Sequence, residues 1–291
     1  MPPTQALGSG PEPDESGHVP SDSSLSPPDS APETGAHPAS FSPVQAGPGD
    51  GGRIPVRERM TAAMEVVACS GIPTQLLILP LLVASGWAPA PTGGPTLALV
   101  APLLLIDTVL VVAMMVFFTR LHGESVRTVW LGSRPRLREA LIGAASIPLV
   151  FLFVVLLLNL LRTFVPALRS VPVNPMEQMA TQGLRDALVF AFVAIVGGGV
   201  REELQRAFML HRFERYLGGP AAGVIVLSVA FGLGHLQQGY DAGVITGVLG
   251  AFWAIVYVRR RSVLVPMVSH AGFNAFEVLS VALLKTFVRS G

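Results

Sequence analysis

The sequence predicts an all-α fold, a polytopic bundle of about seven transmembrane helices preceded by a disordered N-terminal tail. Three observations carry that expectation. Charged residues make up 13% of the 291 residues and hydrophobic ones 51%, whereas soluble domains carry about a quarter charged. The mean hydropathy is +0.56, and the apolar residues are clustered: Leu141 to Leu161 runs without one charge, about the ~20 residues that a bilayer-crossing helix requires. The arginines, finally, gather where such spans end.

In chain order, residues 1–55 are rich in Pro, Gly, Ser and Asp and show no apolar periodicity. Such a segment cannot bury enough surface to offset its ordering entropy, so disorder is expected. It lacks the basic n-region and apolar h-region of a signal peptide. Residues 56–136 then read as N-terminal transmembrane helices and a basic cytoplasmic loop, and 137–291 as a second region that holds most of the buried polar chemistry. The spans expected are 61–86, 97–118, 141–161, 185–215, 221–237, 243–258 and 263–284. The fourth is apolar to Val200, then charged, then amphipathic as far as Gly218.

Arg57 and Arg59 precede the first span, and the connection Trp87 to Pro95 has no charge. Arg120, Arg127, Arg134, Arg136 and Arg138 come after the second, Arg212 and Arg215 after the fourth, and Arg259, Arg260 and Arg261 after the sixth. With seven spans all these clusters fall on one side, which predicts a cytoplasmic N-terminus. A net charge of +1 with no basic patch gives no sign of a nucleic-acid partner. Cys69 is the single cysteine, so no disulfide framework or thiolate metal cluster forms.

Ionisable groups within a bilayer cost at least ~2.5 kcal/mol each on insertion scales and call for a reason. Beyond residue 185 the spans carry Arg201, Glu202, Glu203, Arg206, His235, His270, Asn274 and Glu277. Glu202 lies 16 residues before Gly218 and His235 lies 17 after it, which puts both about 25 Å along an antiparallel helix pair. His270 and Asn274, at i and i+4, share a helix face, as do Glu202 and Arg206. Asp107 and Glu65, in the earlier spans, read as structural acids, and His122 and His211 as interfacial and solvated.

Glu202-Glu203-Leu-Gln-Arg206-Ala207-Phe resembles the first motif of the CAAX prenyl endopeptidase and bacteriocin-processing (abortive infection) family of intramembrane proteases. Phe231-Gly-Leu-Gly-His235 is similar to its second motif, F-x-x-x-H, and His270-Ala-Gly-Phe-Asn274 to its third, H-x-x-x-N. The resemblance covers residues 137–285. One departure stands out: the family pattern is E-E-x-x-x-R-G, whereas Arg206 comes one residue early and Ala207 replaces the glycine. Aligned on the glutamates, Glu202 is the principal acid. Aligned on Arg206, Arg201 takes the first acidic position and Glu202 the second, with Glu203 a rival.

Peptide hydrolysis needs an activated water and a stabilised oxyanion. A carboxylate in an apolar bundle suits the general base, so Glu202 would act on water with His235, and Arg206 would keep the buried charges paired. His270 and Asn274 would clamp the oxyanion, which is also the assignment that the resemblance implies. Such a site should open to the cytoplasmic side or to the lipid. Glu202, His235 and His270 could instead hold a divalent metal such as zinc in a His₂Glu set, although no H-E-x-x-H occurs. The substrate expected is a membrane-associated peptide or protein, CAAX-like or bacteriocin-type. The Ala/Gly/Pro-rich, lysine-poor composition, with Lys285 the sole lysine, points to a bacterial inner membrane. The competing reading is a non-enzymatic polytopic protein, an ion-coupled transporter or an inactive scaffold. Against the transporter, the sequence shows no pair of hydropathically similar halves.

Overall fold

A computed structural model describes residues 54–87, 95–172, 174–180 and 182–290, without the side chains of Glu177 and of 285–290. The expected tail, residues 1–55, lies outside the described residues but for its last two, as do most of the uncharged connection and the side chain of Lys285. Gly52–Gly291 forms one compact unit. It is all-helical, with no strand among the described residues.

The chain folds as helices α1 (Val56–Ala68), α2 (Ile72–Ala84), α3 (Leu97–Leu121), the short α4 (Val126–Trp130) and α5 (Arg136–Phe164), then α6 (Pro175–Ala180) and α7 (Leu184–Val193). After these come α8 (Glu202–Tyr216), α9 (Gly219–Gly234), α10 (Tyr240–Arg260) and α11 (Leu264–Ser290). Five segments are long and apolar enough to cross a membrane: Val56–Ala84, Leu97–Leu121, Arg136–Phe164, Tyr240–Arg260 and Leu264–Leu284. The shorter α9 and the unbroken run from α7 to α8 complete the seven rods expected.

Two rods differ from plain helices. The first is split between α1 and α2, where Gly71 takes a left-handed φ of +83°. An added Cβ at Gly71 would stand 2.9 Å from Arg201 Nη1, so only glycine lets the backbone reach that buried guanidinium. The fourth carries a π-helical segment, Ala194–Arg201, between α7 and α8. A π turn takes in one residue more than an α turn and so rotates the downstream helix by about 100°. The Gly197-Gly198-Gly199 run lies inside it and forms a contact surface, not a bend. A Cβ at Gly199 would stand 2.4 Å from Ala271 Cα, and one at Gly198 2.5 Å from Asn274 Nδ2, which is how α11 comes to lie directly against the π segment.

The Arg-rich connections meet at one end of the bundle. Val263 N–H donates to the Trp130 carbonyl at 2.8 Å, and Arg134 Nε to that of Arg260 at 2.9 Å. Arg260 forks onto Glu139 at 2.7 and 2.6 Å, and Arg261 pairs with Glu214. His211 is partly buried and His122 is exposed, and each meets an acid: His122 Nε2 lies 2.6 Å from Glu65 and His211 Nε2 2.9 Å from Glu124. The fully buried Arg212 bridges those two acids, at 2.7 Å to Glu65 and 2.6 Å to Glu124.

This packing can be tested at two places. Gly199→Ala should destabilise the folded protein in detergent by about 1–3 kcal/mol, the usual cost of overpacking. Gly183→Ala, where nothing lies within 4 Å of the new Cβ, should leave the thermal midpoint near the wild-type value. The second place is Glu124, in the connection between α3 and α4. Burial pushes its carboxyl up, but hydrogen bonds and charge from His211 and Arg212 outweigh this and hold it at about 2, below its ordinary 4.5. A depressed carboxylate stabilises the fold above its ordinary value, and that contribution is lost as pH falls from about 4.5 to about 2. Glu124→Gln should cost about 1.5–3 kcal/mol at neutral pH and flatten the acid limb of a pH–stability profile.

Candidate active site

The polar residues of the later helices converge on one cavity of about 360 Å³. Its walls include Glu202 at the start of α8, His235 just past α9, and His270, Asn274 and Glu277 on α11. Glu202 and His235, which helix rise puts at one depth, thus face the same space. Glu203 and Arg206 do not line it; they lie buried behind it, at 1% and 6% exposure.

Each group is held by a distinct contact. His235 Nδ1 lies 2.8 Å from the Phe231 carbonyl, and since a carbonyl only accepts, Nδ1 is the donor and Nε2 is the ring nitrogen left for the cavity. The spacing of F-x-x-x-H is the reach of one helical turn, and Phe231 also packs its ring 4.7 Å from that of His235. His270 Nδ1 lies 2.8 Å from Glu203 Oε1, an atom that Arg206 also contacts. Trp253 stacks flat on the His270 ring at 3.9 Å, and its indole N–H donates to Ser269 at 3.2 Å. His270 is therefore fixed in plane and azimuth, with Nε2 4.0 Å from Glu202 Oε2. Asn274 donates one amide N–H to the Ala194 carbonyl in the π segment at 3.1 Å, and its second N–H is left for another acceptor.

Two residues that the sequence reading gave no catalytic part, Arg201 and Trp253, belong to this arrangement. Arg201 donates to Asp107 at 2.7 Å and to the Gly197 carbonyl at 3.1 Å, and it reaches Glu202 Oε1 at 3.3 Å. Asp107 in turn accepts from Thr74 and, at 3.0 Å, from Gln75. The signal for this pair is present in the sequence: an aspartate and an arginine, each within an apolar stretch, demand partners. Trp253 gives no such signal, because tryptophan is an ordinary residue of apolar helices. Asp241, at the start of α10, is buried and pairs with Arg162 at 3.0 Å on the cavity wall.

For a metal, the expected set is Glu202, His235 and His270. Among the described residues no group of three His, Cys, Asp or Glu side chains is arranged to hold an ion. The reason is local: His270 directs Nδ1 to Glu203, and Nε2 and Glu202 stand at 4.0 Å as neighbours across a gap. The side chains as they stand do not fit a bound metal.

No curated protein and no solved structure matches the chain. The family model described as type II CAAX prenyl endopeptidase Rce1-like matches residues 184–276. That stretch runs from the first residue of α7 to just past Asn274 and contains all three motifs, so residues 184–276 of this integral membrane protein are similar to an Rce1-like domain of the CAAX endopeptidase type.

Proposed function

We propose that the protein is an intramembrane endopeptidase that hydrolyses a peptide bond in a membrane-associated substrate. The observation that carries this reading is the meeting of Glu202, His235, His270 and Asn274, from three separate helices, on one cavity. Glu202 is the base. Of the charges around it, Arg206 is matched to Glu203 and Arg201 chiefly to Asp107 at 2.7 Å, with a longer 3.3 Å contact to Glu202, so Glu202 is the motif acid that faces the cavity. A water held between its carboxylate and His235 Nε2 gives its proton to Glu202 as the oxygen attacks the scissile carbonyl carbon. The proton then passes to the leaving amine as the C–N bond breaks.

The oxyanion formed on attack would meet two donors one helical turn apart on α11, the second N–H of Asn274 and Nε2–H of a protonated His270. Glu203 accepts the Nδ1–H of that imidazolium and so acts as a positioning residue, itself held in place by Arg206 on the same oxygen. Trp253 closes one face of His270 to water. The substrate is a membrane-bound peptide or protein of CAAX-like or bacteriocin type, and the setting is the plasma membrane of a bacterium.

The test is hydrolysis of a farnesylated peptide ending in Cys-aliphatic-aliphatic-X, and of the same peptide without the lipid, by protein reconstituted in liposomes. Glu202→Gln should lower kcat by about 10²–10⁴-fold while the protein elutes as the folded species. Wild-type turnover by a folded Glu202→Gln would overturn the assignment, and its failure to fold would mark the glutamate as structural. Glu203→Gln should lower kcat about 10-fold or more with KM little changed, because it frees the His270 ring without altering the cavity wall.

A further inference from the structure

The cavity has a floor and a mouth, and they lie at opposite ends of its axis. Its floor is set by Gly197, Glu202, Trp253 and His270; its far walls include Arg162 at the end of α5, Arg169 and Asn174 beyond it, and Gln238 and Asp241 at the start of α10. Arg162 and Arg169 are exposed, Asn174 and Gln238 half-buried, so the cavity reaches the surface at this end, and Glu277 is exposed part-way along its wall. The segment after α5 and the start of α10 are tied together there, by Arg162 to Asp241 and by Tyr240 N–H to Ser170 Oγ at 3.0 Å.

That end is the one away from the Arg-rich connections. Helix α5 begins at Arg136 and α10 ends at Arg260, where Arg260 pairs with Glu139; the cavity mouth draws on the opposite ends of both helices. The connections 120–138, 212–215 and 259–261 carry ten arginines, while the mouth end has Arg162, Arg169 and Arg185 among the described side chains. Short loops rich in arginine stay in the cytoplasm whatever acids accompany them.

From these two facts together we infer that the cavity opens on the extracytoplasmic side, and that its substrate is an extended peptide segment presented from that side. This departs from the expected opening to the cytoplasm or the lipid. The sidedness stands on geometry and charge alone; that the bound segment is a substrate rests on the hydrolytic reading above. Depth sets a further requirement. Asp241 to Trp253 spans 12 residues of α10, about 18 Å of helix rise, so a chain entering at the mouth needs about five or six extended residues to reach His270. A folded domain edge cannot do this, whereas a chain terminus or an unfolded juxtamembrane segment can.

The test uses cysteine accessibility and needs no substrate. Cys69 is fully buried and gives a silent background. Gln238→Cys and Pro172→Cys place a thiol at the mouth, and Ser133→Cys places one in the exposed arginine-rich loop. A membrane-impermeant maleimide should label the first two in intact spheroplasts and leave Ser133→Cys untouched until the membrane is inverted or permeabilised. The reverse pattern, or a mouth labelled from neither side, would overturn the inference. If labelling is as expected while the Glu202→Gln protein retains full peptidase activity, the sidedness holds and the hydrolytic reading falls.

Discussion

Hydrocarbon offers no water to solvate a charge, so each arginine drawn into this bundle had to find a carboxylate inside it. Arg201, Arg206 and Arg212, all buried on one rod, meet Asp107, Glu203 and the Glu65–Glu124 pair respectively. These pairings dictate which helices lie together. Asp107 brings α3 against the π segment and, through Thr74 and Gln75, holds the start of α2. Glu65 brings α1 against α8. The first two rods and the connection after them, which look chemically empty beside the later ones, are therefore a source of counter-ions for the rod that carries the glutamates.

Close packing acts beside the pairing on α11. The glycine run in the π segment removes the side chains that would hold it off, and Ala271 fills the space a Cβ at Gly199 would need. Asn274 then reaches the Ala194 carbonyl and His270 reaches Glu203. The extra residue of the π turn also sets the rotation at which Glu202 and Glu203 emerge, one toward the cavity and one behind it. Backbone irregularity and charge pairing thus act on the same two glutamates.

Much of this is legible in the sequence because hydrophobic length and charge exclusion are coarse signals. The rods, the arginine clusters and the common depth of Glu202 and His235 all come from counting residues along helices. Three things are not legible. The break at Gly71 places left-handed backbone beside the Arg201 guanidinium, a residue 130 positions away, which is a tertiary fact. The π segment has no residue code beyond its glycines, and those equally suit a bend or a close helix crossing. The stacking of Trp253 on His270 joins residues from different helices, neither of which has a periodicity that names the other. His122 and His211 escape sequence reading for a related reason: position near a span end says nothing about whether an acid waits there.

The displaced arginine of the first motif shows how local geometry can resolve what alignment leaves open. At i+4 from Glu202 and i+3 from Glu203, Arg206 can reach either acid, and it pairs with Glu203. Arg201, which the alternative register would set in an acidic position, turns instead to Asp107 and contributes no surface to the cavity. Of the motif glutamates, Glu202 alone is left on the wall, 4.0 Å from His270. With Arg206 on Glu203, Glu202 is the motif acid left facing the cavity. The departure from the family pattern is then compatible with hydrolysis: the cavity still keeps the Glu202 carboxylate, the imidazoles of His235 and His270 and the Asn274 amide, with Glu203 and Arg206 behind them.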